Sequence, residues 1–351
     1  MLALLTTGCD TTRYYRQAIA GQYQMVARQE KISTLLARTN TPPELRGKLE
    51  LVLHLREFAE HELHLKTGGH YENYADLERP FVVWNVYAAP EFSVEPKRWY
   101  YPVVGKLQYR GFFAEAEARA FAAQLAPEGF DVHVGGVEAY STLGLFKDPV
   151  LNTFLHHAPA DLAETLFHEL AHQRLFASGD TDFNEAFATA VGEEGARRWL
   201  AAHGNAKARA DYEVDLRHQD QFIALVMKTR GELKRVYGDA AGPGDLSVQR
   251  ARKAEVIGKL RLDCEQLKAG WGGYTNYDRW FASPINNARL NTVATYHSLV
   301  PAFQQLLVRH GGDLQKFCSE AKVIAGSSKA ERHQRLVAAG RAEPTISAEK
   351  R

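Results

Sequence analysis

The chain has 351 residues, 45% of them hydrophobic and 24% charged, with 43 Lys and Arg against 42 Asp and Glu. A formal charge of +1 supplies no long-range field for nucleic acid or an anionic surface. With 17 Phe, 15 Tyr and 5 Trp there is enough apolar bulk for a sizeable core, so a disordered chain is excluded. Cys9, Cys264 and Cys318 are too few and too far apart for a disulfide framework or a thiolate metal cluster.

In chain order, Met1-Leu-Ala-Leu-Leu-Thr-Thr-Gly-Cys9 looks like the tail of a bacterial lipoprotein signal cut short. Leu2 to Leu5 would end its apolar run, and Gly8-Cys9 would be the processing site. Residues 1–9 are therefore expected to be a truncated signal, with a lipidated Cys9 attaching the protein to a membrane of the cell envelope. Without a working signal the expected location is the cytoplasm. Thr6, where such signals prefer Leu, departs from the pattern. Helical periodicity over residues 14–65 predicts two or three helices, broken at Asn40-Thr-Pro-Pro43. Short β-rich runs follow at 81–87, 99–104 and 130–134, with an alanine-rich helix at 114–125 before the last. A further strand is predicted at 137–142.

From Asp161 onward the pattern is almost entirely helical, so the fold class is α+β. Residues 206–237 and 246–271 predict a long helical hairpin joined by Gly238-Asp-Ala-Ala-Gly-Pro-Gly-Asp245. The basic residues of this hairpin alternate with acids, as on a solvated face. One domain is expected over 10–326, and a polar, fraying tail over 327–351.

The residues that carry chemistry begin at Leu166-Phe-His-Glu-Leu-Ala-His172. On a helix, His168 and His172 lie one turn apart on the same face, so both imidazoles reach one metal ion with Glu169 beside it. This is the H-E-x-x-H arrangement of zinc peptidases. Apolar Leu166, Phe167, Leu170 and Ala171 surround the polar triplet, as in a buried helix. After a turn at Ala177-Ser-Gly-Asp-Thr181, a second helical run opens with Phe183-Asn-Glu185, and Glu185 can supply a third ligand. Glu185 also reads as a helix-start acid in a capping box with Asp182. Asp180, Asp182, Glu193 and Glu194 are its substitutes, and the group among which a carboxylate for a histidine's second nitrogen is sought.

These residues resemble the gluzincin metallopeptidases, in which H-E-x-x-H is followed on the next helix by an Asn-Glu pair. Over nearly its full length the chain is similar to the bacterial predicted-aminopeptidase family, a family of lipoproteins. The matching stretches are Tyr14-Tyr-Arg-Gln-Ala-Ile-Ala-Gly21, Val83-Trp-Asn-Val86, Tyr109-Arg-Gly-Phe112, Ala139-Tyr-Ser-Thr-Leu-Gly144, Phe167 to Gln173, Gly179-Asp-Thr181, Phe183-Asn-Glu185 and Asn286-Asn-Ala-Arg-Leu290. Two features depart from thermolysin-like enzymes: the spacing from His172 to Glu185 is shorter, and Thr189 stands where they carry an Asp.

The resemblance implies a zincin-like, zinc-dependent aminopeptidase acting on peptides. His168, His172 and Glu185 would hold zinc, and Glu169 would act as general base on a water. A donor to the developing oxyanion is also needed, and Tyr140, Tyr277, Tyr296 and His297 are the candidates, with Tyr140 placed first. Glu138 is the candidate for binding the substrate's free amine, because Gly135-Gly-Val-Glu-Ala-Tyr-Ser141 resembles the edge strand before the zinc helix in gluzincin aminopeptidases. The alternatives are a zinc endopeptidase and a non-catalytic envelope protein with a structural zinc site. His61 with His64, and His156 with His157, have no assigned role; Asn286, Asn287 and Arg289 either cap helices or contact substrate.

Overall fold

The computed structural model describes residues 3–101, 105–139, 141–142, 146–238 and 245–341, with side chains from 12 to 340. Helices dominate and the strands are short, an α+β arrangement. The chain opens with α1 (Ala3–Ala27), whose early turns contain Cys9, followed by β1 (Gln29–Lys31), α2 (Ile32–Ala37) and α3 (Pro43–His61). The break before α3 follows from the proline pair. Pro42 is extended, and Pro43 occupies the first turn, where its missing N–H would have no helical partner. No sequence signal marked β1, because three residues are too few to show a period. It pairs antiparallel with β2 (Asn73–Ala75), which pairs in parallel with β8 (Val150–Leu151).

The main sheet is antiparallel, in the order β6 (Tyr109–Phe112), β3 (Val83–Pro90), β7 (Phe130–Val137). Beside it β4 (Trp99–Tyr101) and β5 (Gly105–Leu107) form a separate hairpin. Central β3 is buried on both faces except at Pro90, so its apolar residues run without alternation. One face packs under α4 (Glu115–Leu125), with Trp84, Val86 and Phe112 against Ala118 and Leu125. The strand expected at 137–142 is instead the end of β7, which stops at Val137; described residues beyond it up to Thr142 form no ladder.

After α5 (Asn152–Leu155), α6 (Pro159–Ala171) and α7 (Thr181–His203) pair through the centre of the main core. Two glycines let them touch. A Cβ on Gly192 would lie 2.9 Å from the Glu164 carbonyl oxygen and 3.2 Å from His168 Cβ, and one on Gly195 would lie 2.6 Å from the Phe167 ring. The predicted hairpin is formed by α8 (Ala206–Gly238) and α9 (Leu246–Gly270), with its own core around Phe222, Val226, Leu260 and Cys264. Buried Lys253 ties it to the sheet, donating to Asp131 at 2.6 Å and to the Glu91 carbonyl at 2.9 Å.

The remaining helices are α10 (Asp278–Phe281), α11 (Asn287–His297), α12 (Val300–Arg309), α13 (Leu314–Ala325) and α14 (Lys329–Arg341). Residues 329–341, within the stretch expected to fray, instead form α14. Leu336 is fully buried, and Arg332 is buried against α7. Its polar composition concealed it because Lys329, Arg332 and His333 reach buried Asp180. Among the described residues no helix is long and apolar enough to cross a membrane.

Candidate metal centre and cleft

Helix α6 starts on Pro159 and delivers His168 in its last turn and His172 at its C-cap. The chain then reverses through a turn closed by Asn184. Its side chain accepts from the Ala177 N–H at 2.7 Å and donates to the Ala177 carbonyl at 2.9 Å. This two-way bond fixes the first turn of α7 and explains the Asn-Glu pair: Asn184 holds the loop, and its neighbour Glu185 turns back towards α6. Glu185 Oε2 lies 3.4 Å from His168 Nε2 and 3.6 Å from His172 Nε2. The two imidazole centres are 5.0 Å apart and nearly perpendicular. His168, His172 and Glu185 thus form a group that could hold a metal ion.

The electrostatics follow from this packing. Burial pushes the Glu185 carboxyl up, but His172 and His168 outweigh it and hold it down at about 2. Burial pushes His172 down, and Glu185 more than restores it. Glu169 lies between the two histidines in sequence and faces the same cleft. Its carboxyl is raised, first by burial and then by Glu185 and Asp148, against the opposing pull of the imidazoles.

The cleft holds about 850 Å³ and has α6 and α7 as its floor, β3, β6 and the end of β7 as one wall, and α1 on another side. Helix α11 brings Tyr296 to it. The Tyr296 phenol is pushed well up by burial and by Glu185, and it hydrogen-bonds Tyr87. His297, beside it, is depressed to about 4 by burial and by His168. Tyr277 is not in the cleft; it stacks on Phe222 with ring centres 4.1 Å apart in the hairpin core. Tyr140 lies outside the described residues.

Glu138 takes a different position from the one expected. Val137 and Ala139 line the cleft, whereas Glu138, at the bend just past the end of β7, turns away from it. There its Oε2 lies 2.8 Å from His157 Nε2, and with His156 the pair forms a second group of potential ligands. His61 and His64 are exposed and stand apart from both groups. The four spare carboxylates also face elsewhere. Asp180 and Asp182 bond to α14, Glu193 accepts from Gln304, and Glu194 accepts from Arg198. His172 Nδ1 is buried and has no hydrogen-bond partner among the described residues.

Asn286, Asn287 and Arg289 position α11. Asn286 caps the helix by accepting from the Arg289 N–H at 3.0 Å, and it donates to the Val132 carbonyl. Asn287 donates its backbone N–H to Asp131 at 2.8 Å and its side-chain amide to the Pro90 and Glu91 carbonyls. These bonds anchor the start of α11 to one end of β3 and β7, and Tyr296 at its far end reaches the cleft.

Two residues near Glu169 carried no sequence signal. Asp148 is buried and accepts from the Thr142 hydroxyl at 2.7 Å, holding a stretch of cleft wall in place. Tyr71 is buried with φ of 60°, and burial and Glu169 push its phenol up. Neither belongs to a spaced motif, and each reaches the site only through the fold.

A family model described as "Putative aminopeptidase" matches residues 13–336. The chain belongs to that family. Its description points to a peptidase, and a peptide substrate fits it. No curated protein and no solved structure matches the chain.

Proposed function

We propose that this member of the family is a zinc-dependent aminopeptidase using Glu169 as general base. The observation that carries the reading is the convergence of His168, His172 and Glu185 from two helices on one point of a cleft, with Glu169 beside them. The separations suit the metal: ligand atoms about 2.0–2.2 Å from a tetrahedral zinc stand roughly 3.3–3.5 Å apart, against 3.4 and 3.6 Å here. Two imidazole nitrogens and one carboxylate oxygen are also a common catalytic zinc set, which leaves a position for water.

Zinc held there would polarise a peptide carbonyl and acidify a water. Glu169, with its raised carboxyl, accepts a proton from the attacking water and passes it to the departing amine. The Tyr296 phenol stays protonated and is the donor for the carbonyl oxygen as it gains charge. Neutral His297 next to it adds no competing positive charge near His168.

A second reading, an endopeptidase, draws on Glu138. With that residue turned to His157, the cleft lining has, among the described residues, no carboxylate besides Glu169 and Glu185 for a free substrate amine. Hydrolysis of one peptide with a free and with an acetylated N-terminus separates the two readings. Cleavage of the free form alone, abolished by chelation, is expected; cleavage of both forms would favour the endopeptidase, and cleavage of neither across a varied panel would remove both.

A further inference from the structure

Among the described residues, the lining of the cleft contains no Lys or Arg, and its two carboxylates, Glu169 and Glu185, belong to the candidate centre. Its remaining surface is mostly apolar. Helix α1 forms one side and is held tightly there, since a Cβ on Gly21 would overlap the Phe113 ring. From α1, Ile19 and Tyr23 reach the opening yet remain 70% and 72% exposed; Phe146 and Phe176, also in the lining, are 51% and 38% exposed. Four large apolar side chains in water around one opening are unusual unless something apolar covers them.

The charge pattern selects the occupant. With a divalent metal balancing Glu169 and Glu185, an acidic side chain against the apolar remainder of the lining would lose hydration without a partner. A basic side chain there would likewise find no carboxylate among the described lining residues beyond Glu169 and Glu185, which the metal and the proton transfer require. An uncharged, bulky side chain meets neither penalty and gains contact along α1.

Resting on the metallopeptidase reading above, we infer that the cleft recognises peptide segments with large uncharged side chains beside the scissile bond, with Ile19, Tyr23, Phe146 and Phe176 as the specificity-determining rim. The rim confers preference and takes no part in the chemistry.

The test is a set of fluorescent hexapeptides identical except for Leu, Phe, Ala, Lys or Asp at the two positions flanking the bond. Binding is measured with zinc-supplied Glu169→Gln protein and hydrolysis with the unmodified chain. Leu and Phe peptides are expected to bind about tenfold or more tightly than Lys and Asp peptides, the scale on which an apolar pocket discriminates. Ile19→Lys and Tyr23→Ser, both at exposed helix positions, should erase most of that difference with zinc content unchanged, and Ile19→Glu should favour the Lys peptide. Equal binding across the panel, or a preference indifferent to the rim substitutions, overturns the inference. So does a flat panel in which the rim substitutions abolish binding to phosphatidylcholine vesicles, which would assign these side chains to a lipid surface. Retained binding order without hydrolysis overturns the peptidase reading and leaves the recognition standing.

Discussion

Arg332 on α14 sets its guanidinium 2.6 Å from Oδ2 of Asp180, the N-cap residue of the helix that carries Glu185. Asp180 is fully buried, and Lys329 and His333 also reach its carboxylate, each at 3.0 Å. Burial alone would raise this carboxyl, but the basic groups outweigh it and hold it well below the usual range. Removing the main partner leaves this buried charge to Lys329 and His333 alone. Arg332→Ala should therefore cost up to about 3 kcal/mol, the low end for breaking a buried pair, seen as a lower midpoint in urea unfolding. Because the folded value is depressed, the stabilisation is complete above the unfolded carboxyl's titration near 3.8 and is lost as pH falls towards the folded value. The gap in melting temperature between wild type and variant should narrow on going from pH 7 to pH 3.

Glu169→Gln keeps the shape of the side chain and removes its basicity. Catalysed hydrolysis should fall by about 10²–10⁴-fold, with bound zinc, measured by atomic emission, unchanged. Undiminished turnover in this variant would remove Glu169 from the chemistry.

Tyr296→Phe tests the donor to the developing oxyanion. A loss of about 10²–10³ in kcat with little change in KM is expected. Tyr277→Phe, in the hairpin core, is the control and should leave kcat unaltered.

Glu193 lies buried on α7, and burial together with Glu164 raises its carboxyl to about 7. The unfolded chain releases this proton near 4.5 and the folded chain only near 7, so stability declines as pH rises between those values. Glu193→Gln can still accept the Gln304 hydrogen bond and should be more stable than wild type by about 3 kcal/mol at pH 8. At pH 4 the two should melt together, and calorimetry across the range decides it.

Gly192→Ala places a methyl group against the Glu164 carbonyl and His168 Cβ. Pushing α6 and α7 apart should cost about 1–3 kcal/mol and weaken metal binding, measured by competition with a chromophoric chelator. Gly231→Ala, on α8 with open space around it, is the control and should leave metal affinity unchanged.

Much of the site was legible because its information is local. His168, Glu169 and His172 share one helix, and Glu185 follows a short turn, so periodicity and spacing alone bring them together. Contacts made over long separations were not legible in the same way. Tyr296 stood among four candidates because its arrival depends on Asn286 and Asn287 anchoring α11 to the sheet. The turn of Glu138 towards His157 was not legible because it depends on the bend that ends β7, which no feature of Gly135-Gly-Val-Glu138 marks. Strands of two or three residues, such as β1, β2 and β8, are too short to show a period. Helix α14 was hidden for the opposite reason: its charged residues look solvated until their buried partner Asp180 is known.

The Arg332–Asp180 contact also orders events during synthesis. Every candidate metal ligand has left the ribosome before α14, yet the loop leading into Glu185 lacks the basic partners of Asp180 until Lys329, Arg332 and His333 arrive. A nascent chain halted after α13 would carry the full H-E-x-x-H helix without the contact that seats its partner. Seating of the candidate metal site would thus wait until α14 has been made.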